Sequence, residues 1–186
     1  YLDMIDLNKE EKAIKYISIM KQEINRSLNI ISDFVEYNKI KIIKEHIDLN
    51  YLLDDVYDSF KILINNQKIK LEYKSRDDED IYFMGDYERI KQVIINLLKN
   101  ALEATNENGR ISIYSNIYKQ YLEIIIEDNG IGMNEETLMK IEEMFYTTKQ
   151  NGTGLGVALS SEIIKSHNGK LIYISEPNKG TKVTIK

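Results

Sequence analysis

The spacing of apolar residues divides the chain into elements before any chemistry is considered. From Glu11 to about Lys44 there is no glycine and no proline. Ile14, Ile17, Ile24, Leu28, Ile31 and Val35 recur at alternating steps of three and four, broken by Lys21. That is the period of an amphipathic α-helix, and Ala13, Met20 and Phe34 widen its stripe to the breadth of a helix-bundle face. Ahead of it "YLDMIDLN" reads as the last turns of another helix, with "NKEE" as the turn and N-terminal acids. Residues 1–46 are therefore expected to form a helical hairpin, too thin to bury its own face and in need of a partner. The chain opens in mid-pattern, as expected of a fragment of something longer.

From Ile47 the texture changes. "IDLNYLLDDVYDSFKILINNQKI" predicts an extended segment running into a helix, and "IKLEYKS" and "IYFMGD" predict strands with the acidic "RDDED" as their turn. "DYERIKQVIINLLKNALEATNE" predicts a long helix with an Asp cap, closed by "NENG". "RISIYSNIY" and "YLEIIIED" predict a hairpin, and "NEETLMKIEEMF" a short helix. A glycine-bearing loop, "YTTKQNGTG", leads to the helix "LGVALSSEIIKSHNG", and "KLIYISE" with "GTKVTIK" closes the chain as a second hairpin. Residues 47–186 are thus expected to be one α+β domain, a two-layer sandwich of a mixed sheet packed on helices. Neither internal repeats nor low-complexity segments interrupt it.

Composition narrows the classes. With 186 residues and 42% hydrophobic content, the chain can hold one good core and a smaller appendage. The absence of cysteine excludes disulfides and thiolate metal sites, and fits a reducing, cytoplasmic compartment. A formal charge of −5 argues against nucleic acid as a partner. No apolar run approaches the length of a membrane span and no signal peptide opens the chain, so no membrane contact is expected.

Three segments carry candidate chemistry. The strand "YLEIII" ends in "EDNGIGM", where Asp128 is an acceptor at the mouth of whatever is bound, and Gly130 and Gly132 permit close approach. Along the long helix, Gln92, Asn96, Asn100 and Glu103 form a polar line beside the apolar face of Ile90, Ile94, Leu97, Leu98, Ala101 and Leu102. Asparagine is a mediocre helix former, and amide oxygens one turn apart suit magnesium. In "TTKQNGTGLG", Gly152, Gly154 and Gly156 run into a helix N-terminus, where phosphate binds, and Lys149, Thr147, Thr148 and Thr153 add donors. The spacing fits neither a P-loop nor a dinucleotide fingerprint. Taken singly, each segment has a plain alternative: a turn, a solvated stripe, a flexible loop. Few apolar anchors beyond Phe145 hold the loop from Met144 to Thr153, so it is expected to be mobile.

The order of these segments separates the readings. "NLLKNALEA", "DNGIGM", "FYTTK" and "GTGLG" resemble, in sequence, the N, G1, F and G2 boxes of the sensor histidine kinase catalytic domain. That domain has the Bergerat fold shared with gyrase, mismatch-repair and heat-shock chaperone ATPases, and the resemblance covers roughly residues 47–186. The short Phe-x-Thr-Thr-Lys lid resembles the sporulation-type kinases. "INRSLNIISDFVEYNK" resembles the second helix of their dimerisation and phosphotransfer domain, which implies a homodimer through a helical bundle and a response regulator as the phosphate's destination. The resemblance implies ATP and Mg2+ as cofactors. It makes Asp128 the acceptor for the adenine amine, with Gly130, Gly132 and Met133 beside base and ribose. Asn100 becomes the magnesium ligand, with Asn96 supporting the metal and phosphates and Glu103 among the ATP-binding residues. Phe145 to Lys149 become the lid, with Thr148 at hand and Lys149 meeting the γ-phosphate. Gly152, Thr153, Gly154, Leu155 and Gly156 become the phosphate cradle, and Thr181 a hydroxyl that reaches adenine and the aspartate through water.

Position 96 is glutamate in the chaperone and gyrase relatives, where it activates water. Asn96 here implies slow hydrolysis and a γ-phosphate that awaits another acceptor. The family's acceptor histidine is followed by an acid and then a proline. His46 in "KEHIDLN" lacks that pattern, His167 closes a helix where the dipole favours an imidazole, and Pro177 lies in the last turn. The acceptor is therefore expected upstream of Tyr1. An independent Bergerat ATPase, a non-catalytic ATP-binding interaction module and an anti-sigma serine kinase remain as alternative readings.

Overall fold

The computed structural model of the chain describes residues 10–64, 68–74, 81–149 and 152–186. Its elements, in chain order, are α1 (Glu10–Asn38), β1 (Glu45–Asp48), α2 (Leu49–Ile64), β2 (Lys70–Lys74), β3 (Tyr82–Gly85) and α3 (Tyr87–Ala104). There follow β4 (Arg110–Ile117), β5 (Leu122–Asp128), α4 (Glu135–Lys140), α5 (Gly156–Ser166), β6 (Leu171–Glu176) and β7 (Gly180–Ile185). The first arm of the expected helical hairpin, the acidic turn at 76–80, and positions 150–151 of the glycine loop lie outside the described residues.

Five strands form one mixed sheet in the order β2-β4-β5-β7-β6. The two hairpins read from the sequence, β4–β5 and β6–β7, are both antiparallel pairs, whereas β2 runs parallel to β4. The expectation that β2 and β3 share a turn as paired neighbours is corrected: β3 pairs instead with β1, in a separate two-stranded sheet. Leu71 and Tyr73 of β2 and Phe83 of β3 all pack against the one core, and Phe83 lies opposite Ile47 of β1. A parallel pair needs a long crossover, and α3 supplies it between β2 and β4. The short helix α4 stops at Lys140, six residues long, and "IEEMF" continues as turns.

The core lies between the sheet and three helices. Buried residues on α2 (Leu52, Leu53, Val56, Phe60), α3 (Ile90, Val93, Ile94, Leu97, Leu98) and α5 (Leu159, Ile163) meet Ile111, Ile113, Ile124, Ile126 and Ile185 of the sheet. Leu102, expected in the core face, is only partly buried, and Val93 belongs to the face instead. The unbroken apolar run in β5 has a specific cause. Ile124 and Ile126 face the helices, whereas Ile125 points to the opposite face, opposite Tyr114 of β4, and is still buried. Lys74 and Lys182 reach over the Tyr114 ring on that side, covering apolar surface with their stems.

Helix α1 packs on α5, and its Phe34 ring stacks on Phe145 at 6.5 Å, but much of its apolar stripe is uncovered. Ile14 is 67% exposed, and Ile24, Leu28, Ile31 and Val35 are exposed with it. Its C-terminal end is anchored: Tyr37 and Ile40 pack against the core, and the Ile43 N–H donates to Asp86 Oδ2 at 2.8 Å. Asp86 is also the N-cap of α3, accepting from Arg89 N–H at 3.1 Å. Its own N–H donates to His167 Nε2 at 2.9 Å, and His167 Nδ1 lies 2.8 Å from the Ile163 carbonyl. Nδ1 therefore carries the proton and Nε2 accepts, so this imidazole is a neutral strut between α5 and α3.

A second link joins α2 to α3. Lys91 Nζ donates to Asp55 Oδ2 at 2.6 Å, and the Tyr87 hydroxyl donates to the same oxygen. The lysine and then the tyrosine hold the Asp55 carboxyl below the ordinary range, while burial and this carboxylate push the Tyr87 hydroxyl up. A lowered folded-state pKa stabilises the fold above the unfolded pKa, and the contribution is lost as pH falls through the folded value. Asp55→Ala should lower the unfolding free energy by about 1 kcal/mol at neutral pH. Urea titrations across pH 7 to 3 check this: the gap between wild type and variant should close as Asp55 protonates.

Candidate functional site

One end of the sheet and the exposed edge of α3 frame a cleft of about 630 Å³, closed on its other sides by residues 131–133, 146–149 and 152–154 and by the start of α5. Its size suits a drug-sized or nucleotide-sized ligand. Asn96, Asn100, Glu103, Asp128, Gly132, Met133, Thr148, Lys149, Gly152, Thr153, Gly154, Gly156 and Thr181 all line it. Segments separated by up to 85 positions in sequence, from Asn96 to Thr181, thus converge on one cavity. The helical period explains the α3 contribution, since turning Ile94, Leu97 and Leu98 into the core leaves Asn96, Asn100 and Glu103 on the neighbouring stripe.

Gly130 and Leu155 are not on the wall. Leu155 is fully buried. A Cβ on Gly130 would fall 2.2 Å from the Ala104 carbonyl oxygen, and one on Gly132 would fall 2.0 Å from that of Glu176. Gly132 also has φ 62°, a left-handed backbone that favours glycine. Between them the Ile131 N–H donates to the Ala104 carbonyl at 3.0 Å, and the Asn178 N–H donates to the Ile131 carbonyl at 2.7 Å. The close approach that these glycines permit is to the chain's own backbone. They make 130–132 a strap between the end of α3 and the β6–β7 turn, with Gly132 also on the cleft wall.

The cleft has two chemically distinct ends. Ile126, Met133, Ile141, Tyr173 and Val183 form an apolar end suited to a flat heteroaromatic ring, with Asp128 at its base. The Asp128 side chain accepts from Gly130 N–H at 2.8 Å and from the Thr181 backbone, and the residue is only 7% exposed. Burial pushes its carboxyl above the ordinary range, against the two backbone donors that pull it down. A raised folded-state pKa makes the ionised carboxylate a stability cost at neutral pH, one that is relieved as pH falls. A ligand amine that donates to it offsets that cost.

Ser175 was not anticipated, yet it organises this end. Its Oγ accepts from Met133 N–H at 2.9 Å, donates to the Gly180 carbonyl at 3.0 Å, and lies 2.9 Å from Thr181 Oγ1. The signal was present in β6: Leu171, Tyr173 and Ser175 share one face, and a polar residue on an inward face needs a reason. The apolar wall gave no such signal, because Ile126, Ile141 and Val183 read as ordinary core.

The other end is polar. Asn96 Nδ2 donates to Ser160 Oγ at 2.9 Å, and a Cβ on Gly156 would fall 2.7 Å from Asn96 Oδ1. Gly156 opens α5, whose N-cap Leu155 supplies no side-chain acceptor, so the first-turn N–H groups of Gly156 and Val157 remain available at the cleft wall. Lys149 Nζ donates to Asn100 Oδ1 at 2.7 Å and pairs with Glu103. Among the described residues, no group of three or more His, Asp and Glu could hold a metal ion. Two amide oxygens and one carboxylate fit a hard cation that arrives with phosphate oxygens and brings its own water, rather than a resident metal cage.

Comparisons with known proteins agree with this geometry. Residues 85–186 match the family described as histidine kinase-, DNA gyrase B-, and HSP90-like ATPase. Sporulation kinase B of Bacillus subtilis is 33% identical over 180 residues, covering 96% of this chain and 42% of the relative. The signal transduction histidine-protein kinase AtoS of Escherichia coli is 31% identical, covering 92% of this chain and 28% of its own length. The chain thus spans less than half the length of these curated relatives. The solved catalytic domain of histidine kinase ThkA is 35% identical with a TM-score of 0.68, covering 78% of this chain and 94% of that domain. A longer structure of ThkA, in complex with the response regulator protein TrrA, gives 33% identity and a TM-score of 0.77, covering 92% of this chain and 49% of that one. The match over residues 85–186 and the likeness to the ThkA catalytic domain place the chain in the histidine kinase-, DNA gyrase B- and HSP90-like ATPase family, among the histidine kinase catalytic domains.

Proposed function

We propose that the chain is the ATP-binding catalytic portion of a two-component sensor histidine kinase. It transfers the ATP γ-phosphate to a histidine on a preceding bundle helix, and the phosphate then passes to a response-regulator aspartate. The observation that carries this reading is the pairing, in one cleft, of a buried acceptor for adenine with an amide where a water-activating acid would sit. Asp128 accepts from the exocyclic amine in the apolar end. At the polar end Asn96 is bonded to Ser160 and offers no general base. A hydrolytic motor is the weaker reading for that reason.

The roles follow from position. The base lies between Met133 and the Ile126, Ile141 and Val183 wall, with Thr181 and Ser175 fixing the floor near Asp128. The phosphates run past Gly152, Thr153 and Gly154 to the α5 N-terminus, and Thr148 and Lys149 close over them. The Asn100 amide would hold a Mg2+ ion, with Asn96 and Glu103 nearby, and such an ion would supply positive charge to offset that on the phosphates. The histidine nitrogen attacks Pγ, the bond to the β,γ-bridging oxygen breaks, and ADP leaves. Neither histidine here serves as acceptor: both ring nitrogens of His167 are engaged in hydrogen bonds, and His46 lies in the β1–β3 ladder far from the acid-and-proline pattern.

Residues 1–46 act as part of a dimerisation and phosphotransfer domain and 47–186 as the catalytic domain, working in the cytoplasm. The exposed stripe of α1 is the proposed homodimer face, since a row of isoleucines on a single helix is a large apolar patch to leave in water. A response regulator as partner is supported by the ThkA complex with TrrA.

Asp128→Asn should weaken ATP binding by about tenfold or more, the worth of a charge-assisted hydrogen bond. Asn100→Ala should remove the magnesium-dependent part of the affinity. Calorimetry checks both. In wild type, affinity should also fall on acidification toward the raised Asp128 pKa, a dependence the Asp128→Asn protein should lack; equal affinities throughout would refute the site.

Incubated with radiolabelled ATP, the 186-residue chain should remain unlabelled, while the protein extended upstream should gain acid-labile, base-stable label and pass it to a response regulator. Label on the short chain that disappears in a His46 or His167 variant would contradict this. Light scattering on the extended protein should give a dimer, and a monomer at high concentration would remove the α1 stripe from that role.

A further inference from the structure

Asn100 and Glu103 are one turn apart on α3, and Lys149 comes to both of them from a loop that begins forty residues later in the chain. The lysine's ammonium donates to Asn100 Oδ1 at 2.7 Å and pairs with the Glu103 carboxylate. Local bonds hold the loop so that the lysine faces this way. Lys149 N–H donates to Thr147 Oγ1 at 3.1 Å, Phe145 N–H donates to the Gly154 carbonyl at 2.9 Å, and Phe145 sits at φ 67°. That left-handed backbone is strained for a bulky residue.

The three side chains make conflicting demands on a nucleotide. An amide oxygen that binds a divalent cation cannot also keep an ammonium at hydrogen-bond distance, because the two cations repel at that separation. A carboxylate at the phosphate end repels a polyanion unless a cation neutralises it. Both conflicts vanish if partners are exchanged, so that the metal takes the place of the ammonium beside Asn100 and Glu103 while the ammonium moves to the phosphates.

We propose that Glu103 is a positioning residue, holding Lys149 on α3 so that the lysine and a metal-bound nucleotide are alternative partners of Asn100 and the lid is released only when that nucleotide arrives. This rests on the reading of the cleft as a magnesium–ATP site. The contact is well suited to reversal: the Lys149 and Glu103 side chains are 43% and 56% exposed, and ion pairs in that setting are weak. A buried pair would lock the loop shut.

The test is a cycle of wild type, Glu103→Gln, Lys149→Met and the double variant, all exposed enough to leave the core untouched. Hydrogen exchange of the 145–149 amides in ligand-free protein should quicken by about three- to fivefold in each single variant, and no further in the double. Additive effects, or no effect of Glu103→Gln, would overturn the latch. Calorimetry with ATP, in magnesium and in chelator, supplies the second readout. Glu103→Gln should raise the affinity in chelator and so shrink the magnesium-to-chelator ratio by a similar factor; an unchanged ratio would overturn the exchange of partners. Failure of wild type to bind ATP at all would instead refute the functional reading, whatever the exchange rates show.

Discussion

Everything in this molecule depends on how α3 is held. Its apolar face is pressed between the sheet and the two flanking helices, and that burial fixes the helix's rotation about its own axis. A rotation by one residue would turn the helix about 100° and move Asn96 and Asn100 away from the cavity. The core therefore sets the geometry of the polar stripe, and Leu97, Ala101, Ile126 and Val183 belong to both the core and the cleft wall. Large-to-small changes at Ile94 or Leu98 would cost roughly 2–5 kcal/mol and would loosen the site by the same act.

The strap at 130–132 shows a different economy. A glycine-bearing motif beside an acid looks like a ligand loop, and part of it is one, since Gly132 and Met133 line the cleft. The glycines themselves answer to internal packing: two carbonyls, from Ala104 and Glu176, approach where side chains would otherwise stand. Holding the strap against both the α3 end and the β6–β7 turn keeps the Asp128 carboxylate buried with two backbone donors, in a setting that raises its pKa. Recognition here consists of a carboxylate kept in an unfavourable place by rigid neighbours.

Periodicity made most elements legible. The long α3 with its Asp86 cap, both hairpins, and α5 follow directly from apolar spacing and turn residues. The partnership of β2 and β3 was not legible, because strand pairing depends on which residues meet across the core, and adjacency in sequence favours the wrong neighbour. In the site, residues with special chemistry declared themselves: Asp128, the asparagines, the glycines and Lys149. Its apolar wall did not, since Ile126 or Val183 looks the same whether it faces another isoleucine or a purine. Ser175 lay between these cases, detectable only once the inward face of β6 was known. The ordered motifs carried the resemblance because four weak local signals, each with a plain alternative, rarely recur together by chance.

The attachment of α1 bears on reach. Tyr37 and Ile40 rest on the domain core, and the Ile43 amide is bonded to the same Asp86 that caps α3 and receives the His167 strut. There is almost no slack between the end of that helix and the body that carries the cleft. A domain on a long, loose leash would sweep a sphere and meet acceptors by diffusion. On a leash this short the direction in which α1 leaves the domain is set by a few residues around position 40 and by the Asp86 they share with α3.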